Sequence, residues 1–240
     1  MNDHTVRDDA TSPPNQLLAA LQADEWLRWA PYLEWVSLSA GQVLCESGDT
    51  PAFVYFPTSA VVSLMSSTRD GGSAELAVVG HDGMIGIAVF MGGNAMPSAA
   101  VVQATGVALR LSASTLKSLL QRSVPTLQVL LRYAQALMAQ VAQTALCNRY
   151  HSIDQQLSRR LLLGFDRSAD DALSMTHEDA ARLLGVRREG ITAAAQRLQQ
   201  GGVIRYWRGR IRVLDRARLE QRACECYASV ANEQSRLLAC

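Results

Sequence analysis

The sequence predicts an α+β chain: an N-terminal antiparallel β-roll, a long dimerisation helix, and a C-terminal winged helix-turn-helix. Three observations predict it. Between Val36 and Leu111, short runs rich in Val, Leu and Phe are punctuated by turn signals every strand length or two. From Leu127 to Asn148, apolar and small residues recur at alternating steps of three and four. From Thr176 to Leu198, two amphipathic stretches flank Gly185-Val186, and an Arg-rich, β-prone run follows. The boundaries that follow are a disordered start over 1–14, a roll over 15–123, the helix over 124–150 and the winged part over 151–240.

In chain order, Pro13-Pro14 ends a polar start, and Asn15 is placed to cap a helix through Leu17, Leu18, Leu21, Trp26 and Leu27. The roll's turns fall at Gly41, Gly48-Asp49, Asp70-Gly71, Gly80 to Gly83, Gly92-Gly93 and Gly106. Asp70-Gly71 is a hairpin signal. Met84 to Met91 reads as a short helix between strands. Ser112 is an N-cap candidate for a helix through Leu116 and Leu120, and Pro125 suits the first turn of the next helix.

On that long helix, Leu127, Leu130, Ala134, Leu137, Val141, Thr144 and Asn148 form a seam of about three heptads, as in a dimeric coiled coil. Leu131, Met138 and Leu146 lie off the seam and are free to pack on the roll. His151 to Phe165 reads as another amphipathic helix, and Asp215 to about Val230 as a terminal one.

In the first helix of the pair, Thr176 caps with Asp179, and Ala180, Leu183 and Leu184 share a face. In the second, Ile191, Ala194, Ala195 and Leu198 point inward. Arg188, Glu189, Thr192 and Gln196 are left outside. That outer face suits a DNA major groove. An Arg donates two hydrogen bonds to guanine, a Glu accepts from cytosine, and a short hydroxyl reaches a base or phosphate. Arg188, Glu189 and Thr192 are therefore the candidate base readers. Thr176, Arg187 and Gln196, with Arg205, Arg208, Arg210 and Arg212 on the hairpin, are the candidate phosphate contacts. An ordinary amphipathic hairpin would share the helical pattern, but a basic β-hairpin directly after it reads as a wing.

Net charge is only +1, but its distribution is uneven. Residues 1–148 carry 7 basic and 11 acidic side chains, and residues 149–222 carry 15 and 9. An acidic half joined to a basic one fits a sensor attached to a nucleic-acid-binding module. The five cysteines, Cys45, Cys147, Cys224, Cys226 and Cys240, fit no zinc or iron–sulfur spacing, so no metal is expected. They read as reduced thiols of a cytoplasmic protein, with a redox role for Cys224 and Cys226 as the alternative. No leader pattern is present, and the best apolar run, Leu127 to Leu146, is broken by Arg132 and several Gln, so no membrane partner is expected. His4, His81, His151 and His177 are scattered, and no nucleophile elbow or P-loop appears, so catalysis is not expected.

The roll, long helix and winged helix, in that order, resemble the Crp/Fnr family of bacterial transcription regulators from about Val36 to Leu214. The sharpest part is L-L-G-V-R-R-E-G-I-T, Leu183 to Thr192. In that family an Arg-Glu pair after the turn glycine reads a G·C pair, and Arg188 and Glu189 occupy those positions. Where the Crp branch has a further Arg one turn on, Ala193 stands here. The resemblance implies a cyclic-nucleotide-binding-like jelly roll, a homodimer on a palindromic double-stranded DNA operator, RNA polymerase as a further partner, and a small-molecule effector. Cyclic-nucleotide-binding relatives carry Gly-Glu for the ribose and Arg-Ser/Thr-Ala for the phosphate. Here Gly86-Ile87 and Pro97-Ser98-Ala99 stand instead, without the carboxylate or the guanidinium. Burying an anion without a cationic partner is costly, so cyclic AMP is expected to bind poorly. Gly86, Ile87, Ser98 and Ala99 are the candidate pocket for a different effector. Cys45 alone cannot supply the cluster of the iron–sulfur branch, and His81 reads as a turn residue rather than a haem ligand, so no cofactor is expected. The alternative function is a metabolite- or other-nucleotide-binding regulator that acts mainly through protein partners.

Overall fold

The computed structural model describes residues 13–168 and 170–238. The expected disordered start thus lies, over residues 1–12, outside the described residues, as does Cys240. The first helix is two: α1 (Gln16–Ala19) and α2 (Ala23–Trp29). Asn15 caps α1 through its side-chain oxygen, and its amide donates to the carbonyls of Pro57 and Gly83. That cap is therefore pinned to the roll. Leu17, Leu18 and Trp29 are fully buried while Leu27 is exposed. A single continuous helix would not turn both apolar faces into one core.

The roll contains β1 (Glu34–Leu38), β2 (Val43–Cys45), β3 (Phe53–Pro57), β4 (Val61–Ser67), β5 (Ser73–Val79), the short helix α3 (Ala88–Met91), β6 (Ala99–Ala104) and β7 (Gly106–Ser112). Two antiparallel sheets form, in the orders β1-β7-β3 and β2-β6-β4-β5. Leu38 and Ala108 from one sheet meet Val62, Leu64, Ala77 and Ala100 from the other in a shared core. The opposite face of the three-stranded sheet carries Val54, Phe56, Leu109 and Leu111 and packs on the flanking helices. β4 is buried along Val61 to Met65, on both faces, because the C-terminal half covers its outer side. This is why that strand reads as a continuous apolar run rather than an alternating one.

Ser112 caps α4 (Ala113–Leu120), and Ser123 caps α5 (Val124–Tyr150), with Pro125 in its first turn. The seam expected on α5 packs mostly against its own roll. Leu130, Ala134, Leu137 and Thr144 are buried within the chain itself, and Leu127 and Val141 are half-buried. Leu130 belongs to the core beneath α1 and α4, and Leu137 to the core between the sheets. The residues left outward are Val124, Leu131 (46 % exposed), Met138 (55 %) and Leu146 (45 %). The cause is a helix with two apolar faces: the richer row goes to its own roll, and the row assigned to roll packing is the one left outside.

After α5 come α6 (Ile153–Arg167), β8 (Leu173–Ser174), α7 (His177–Leu184), α8 (Arg188–Gln200), β9 (Ile204–Trp207), β10 (Arg210–Val213), α9 (Arg216–Arg222) and α10 (Cys226–Leu238). Ser152 and Gln155 form a capping box on α6. The single terminal helix expected after the wing is broken at Ala223 to Glu225, where Cys224 turns inward. α10 then returns to the sensor half: Gln143 donates to the Cys226 sulfur at 3.0 Å, and Val230 packs with Val61 and Val78.

Two buried ion pairs join the halves. Arg160 Nε of α6 lies 2.6 Å from Glu75 of β5, whose carboxylate also accepts from the Ser63 hydroxyl. Arg167 lies 2.6 Å from Asp82, which accepts as well from the Gln234 amide of α10 and the Gly80 N–H. Burial opposes the charge on Asp82, but the Arg167 guanidinium and those two donors hold its pKa below the usual carboxylate value.

Candidate nucleic-acid interface

The site rests on α7, α8 and the β9–β10 hairpin. Thr176 and Asp179 close a capping box at the start of α7. Gly185 ends α7 in the left-handed region, φ 64° and ψ 33°, which a Cβ would disfavour. Ile191, Ala194, Ala195 and Leu198 of α8 enter one core with Ala180, Leu183 and Leu184 of α7 and Leu157, Leu161 and Leu162 of α6. A Cβ on Gly190 would stand 2.6 Å from Ile153 Cδ1, so glycine lets α6 and α8 touch there. Arg197, on the same helix, grips Asp154 of α6 with two nitrogens at 2.8 and 3.0 Å. α8 is thus fixed to α6 on its inner side while its outer side stays open.

On that outer side, Arg187, Arg188, Glu189 and Gln196 are exposed. Among the described residues, their side chains make no ion pair. Arg187 caps α8 without a side-chain hydrogen bond, and its carbonyl takes the Gly190 N–H at 3.1 Å, which leaves the Arg188 and Glu189 N–H groups at the helix start for an anion. The hairpin turn is Arg208-Gly209, with φ 44° and 75°, as a tight hairpin requires. It projects Arg205, Arg208 and Arg210 outward, with the Arg205 guanidinium 5.7 Å from the Trp207 ring centroid.

Three candidates differ from expectation. The Thr176 hydroxyl donates to Asp179 at 2.7 Å and accepts from the Asp179 N–H at 3.0 Å, so its donor is not free for a phosphate. Thr192 is half-buried, with its hydroxyl 3.0 Å from His177 Nδ1 and 3.1 Å from the Arg188 carbonyl, so it already has partners within the fold. Arg212 is paired with Asp171. In each case a carboxylate, carbonyl or ring nitrogen within the fold competes for the donor.

His177 is the residue that sequence reasoning missed. Its ring stacks on Tyr206 of the hairpin at 4.4 Å and bonds Thr192 of α8, so it ties the two helices to the wing. Nothing in its spacing marks it, since Tyr206 comes from a later strand. Burial, and then the charge of Arg188, lower its pKa below the ordinary 6.5. As pH falls, the unfolded chain protonates first, so this contribution is intact above pH 6.5 and is lost below it. His177→Phe keeps the stack and is expected to flatten the loss of thermal stability as pH falls below the ordinary His value. Equal slopes in both proteins would refute the linkage.

In the sensor half, Gly86 adopts φ +99° against Val54, Ser98 is buried, and Ile87 and Ala99 are half-buried. Met96 and Ala100, on either side of Ser98, share an apolar cluster with Ile85, Ile87 and Ala88. The two candidate segments therefore border one apolar core. Among the described residues, no helix is long and apolar enough to cross a membrane.

Residues 35–123 match the cyclic nucleotide-binding domain, and residues 155–222 match the Crp-like helix-turn-helix domain. No curated protein matches the chain in sequence. Solved structures do match. A protein described as a Crp/Fnr-family regulator from Eubacterium rectale is 20 % identical, with 85 % of this chain and 96 % of that one covered and a TM-score of 0.66. FixK2 from Bradyrhizobium japonicum is 16 % identical, with 80 % and 98 % covered and a TM-score of 0.68. The c-di-GMP responsive global regulator CLP from Xanthomonas campestris is 16 % identical, with 80 % and 99 % covered and a TM-score of 0.62. At these identities the structures speak for the fold, and the two domain matches, in this order along the chain, speak for the kind of protein. The chain belongs to the Crp/Fnr family: a DNA-binding transcription regulator, not an enzyme, with an effector-binding domain ahead of its helix-turn-helix.

Proposed function

We propose that two copies of this chain, joined along the outer face of α5, read a palindromic operator in successive major grooves. Arg188 and Glu189 read a G·C pair in each half-site, while Arg187, Gln196, Arg205, Arg208 and Arg210 hold phosphates. One observation carries the reading. Arg188 and Glu189 stand exposed and without ion pairs at the start of a helix whose other face is clamped by Arg197 and Gly190. A charge kept unpaired on a rigid support is available for an outside partner. Arg188→Ala is expected to cost about 1–3 kcal/mol at the preferred operator and to relax the preference at one base pair per half-site. Competition binding against single-pair operator variants measures both. Unchanged affinity and unchanged preference would remove Arg188 from base reading.

The effector domain favours a ligand other than cyclic AMP. Gly86, Ile87, Ser98 and Ala99 bring neither a carboxylate for a ribose nor a cation for a phosphate, and the core they border is apolar. Calorimetry with cyclic mononucleotides, a cyclic dinucleotide and apolar metabolites tests this. Tight binding of cyclic AMP would overturn it.

A further inference from the structure

Four side chains at the junction of the two halves come together without a role in DNA binding. Cys147 lies at the end of α5, His151 lies just past that end, and Cys224 and Cys226 bracket the start of α10. Their ligating atoms all lie within 4.8 Å of one another. Cys147 Sγ is 3.6 Å from Cys224 Sγ, and Cys226 Sγ is 3.4 Å from His151 Nδ1. Cys147, Cys224 and Cys226 are buried. We propose that these four residues bind one thiophilic metal ion, zinc above all, as a tetrahedral site of three thiolates and one imidazole.

The distances suit a single ion. Metal–sulfur bonds of about 2.3 Å and metal–nitrogen bonds of about 2.0–2.1 Å give tetrahedral edges of about 3.6–3.8 Å. The two close pairs, at 3.6 and 3.4 Å, are already near that separation, so the site needs only small side-chain movements to close. The histidine is already turned as a ligand would be, because Glu225 Oε1 lies 3.3 Å from Nε2 and leaves Nδ1 toward the sulfurs. A carboxylate behind a ligating imidazole is the usual outer partner of such sites.

Charge gives an independent argument. Three thiolates around a divalent ion carry a net −1. Arg159 of α6 is buried and makes no ion pair with a carboxylate among the described residues. Its Nη2 donates to Thr144 Oγ1 at 2.9 Å, one helical turn before Cys147 on the same side of α5. A buried cation otherwise lacking an anion is accounted for by an anionic metal centre beside it. Three sulfurs and one imidazole select zinc or another thiophilic ion over hard cations such as magnesium. Each ligating thiol gives its proton to solvent, so affinity rises with pH.

The ion would staple the end of α5, the bend before α6 and the start of α10. α6 carries Asp154 and Ile153, which hold the recognition helix, so the site fixes the junction from which that helix is presented.

The test is a titration of the reduced, tag-free full chain with cobalt(II), followed by displacement with zinc. One cobalt per chain is expected, with thiolate-to-cobalt charge-transfer absorption and ligand-field bands of tetrahedral strength, all abolished by zinc. Cys224→Ser is expected to weaken binding by at least about 100-fold, and Glu225→Ala, which leaves all four ligands, by about 10-fold. Absence of the charge-transfer band in the reduced wild-type chain overturns the site without reference to any variant. Equal affinity in a folded Cys224→Ser chain overturns it too. Neither readout involves DNA, so the site stands or falls separately from the operator reading.

Discussion

Leu131→Glu combined with Met138→Glu is expected to leave the protein folded but monomeric. Both side chains lie on the outer row of α5, about half exposed in the single chain, and neither belongs to an internal core. Two carboxylates per chain placed seven residues apart on one helix face would meet their copies across a two-fold axis. Binding of one half-site at a time forfeits the linkage between two readers, so operator affinity is expected to fall by about 10²–10⁴-fold. Sedimentation and operator titration check the two parts. Leu130→Glu and Leu137→Glu would instead disturb the roll, because those residues are buried under it. A double variant that still sediments as a dimer would put the contact elsewhere.

Glu75→Ala is expected to destabilise the chain by about 3–5 kcal/mol, since it strands a buried guanidinium. Arg160 is 3 % exposed and Glu75 7 %, and the pair spans the face where the winged half covers β4 and β5. Gly164 allows the arginine to lie there: a Cβ at that position would come within 2.8 Å of Arg160 Nη1. Replacing both partners by methionine removes the stranded charge and is expected to recover most of the loss. Denaturant unfolding of the single and double variants measures this. A cost under about 1 kcal/mol for Glu75→Ala would mean that this ion pair adds little to holding the halves together.

Local signals were the legible ones. Ser112 and the Thr176–Asp179 box cap helices where their side chains imply, and Gly185 supplies the left-handed turn. The outward position of Arg188 and Glu189 followed from the inward period of Ile191, Ala194, Ala195 and Leu198. Signals that depend on distant neighbours were not legible. α5 is apolar on two faces, and periodicity cannot say which one meets the roll. The pinning of Asn15, the cap of α1, depends on the distant carbonyls of Pro57 and Gly83. Arg212, Thr176 and Thr192 looked free until Asp171, Asp179 and His177 were brought beside them. The cysteines showed no metal spacing because the fold, not the sequence, unites Cys147 and His151 with Cys224 and Cys226.

The paired-reader account is tested most directly by selecting bound duplexes from a random DNA pool with the wild-type chain and, in parallel, with Arg188→Ala. The account predicts an inverted repeat whose half-site centres lie about one helical turn apart, each with a G·C pair whose enrichment disappears in the variant. Enrichment of a single asymmetric site, or of the same repeat with the same G·C pairs by both proteins, would contradict it.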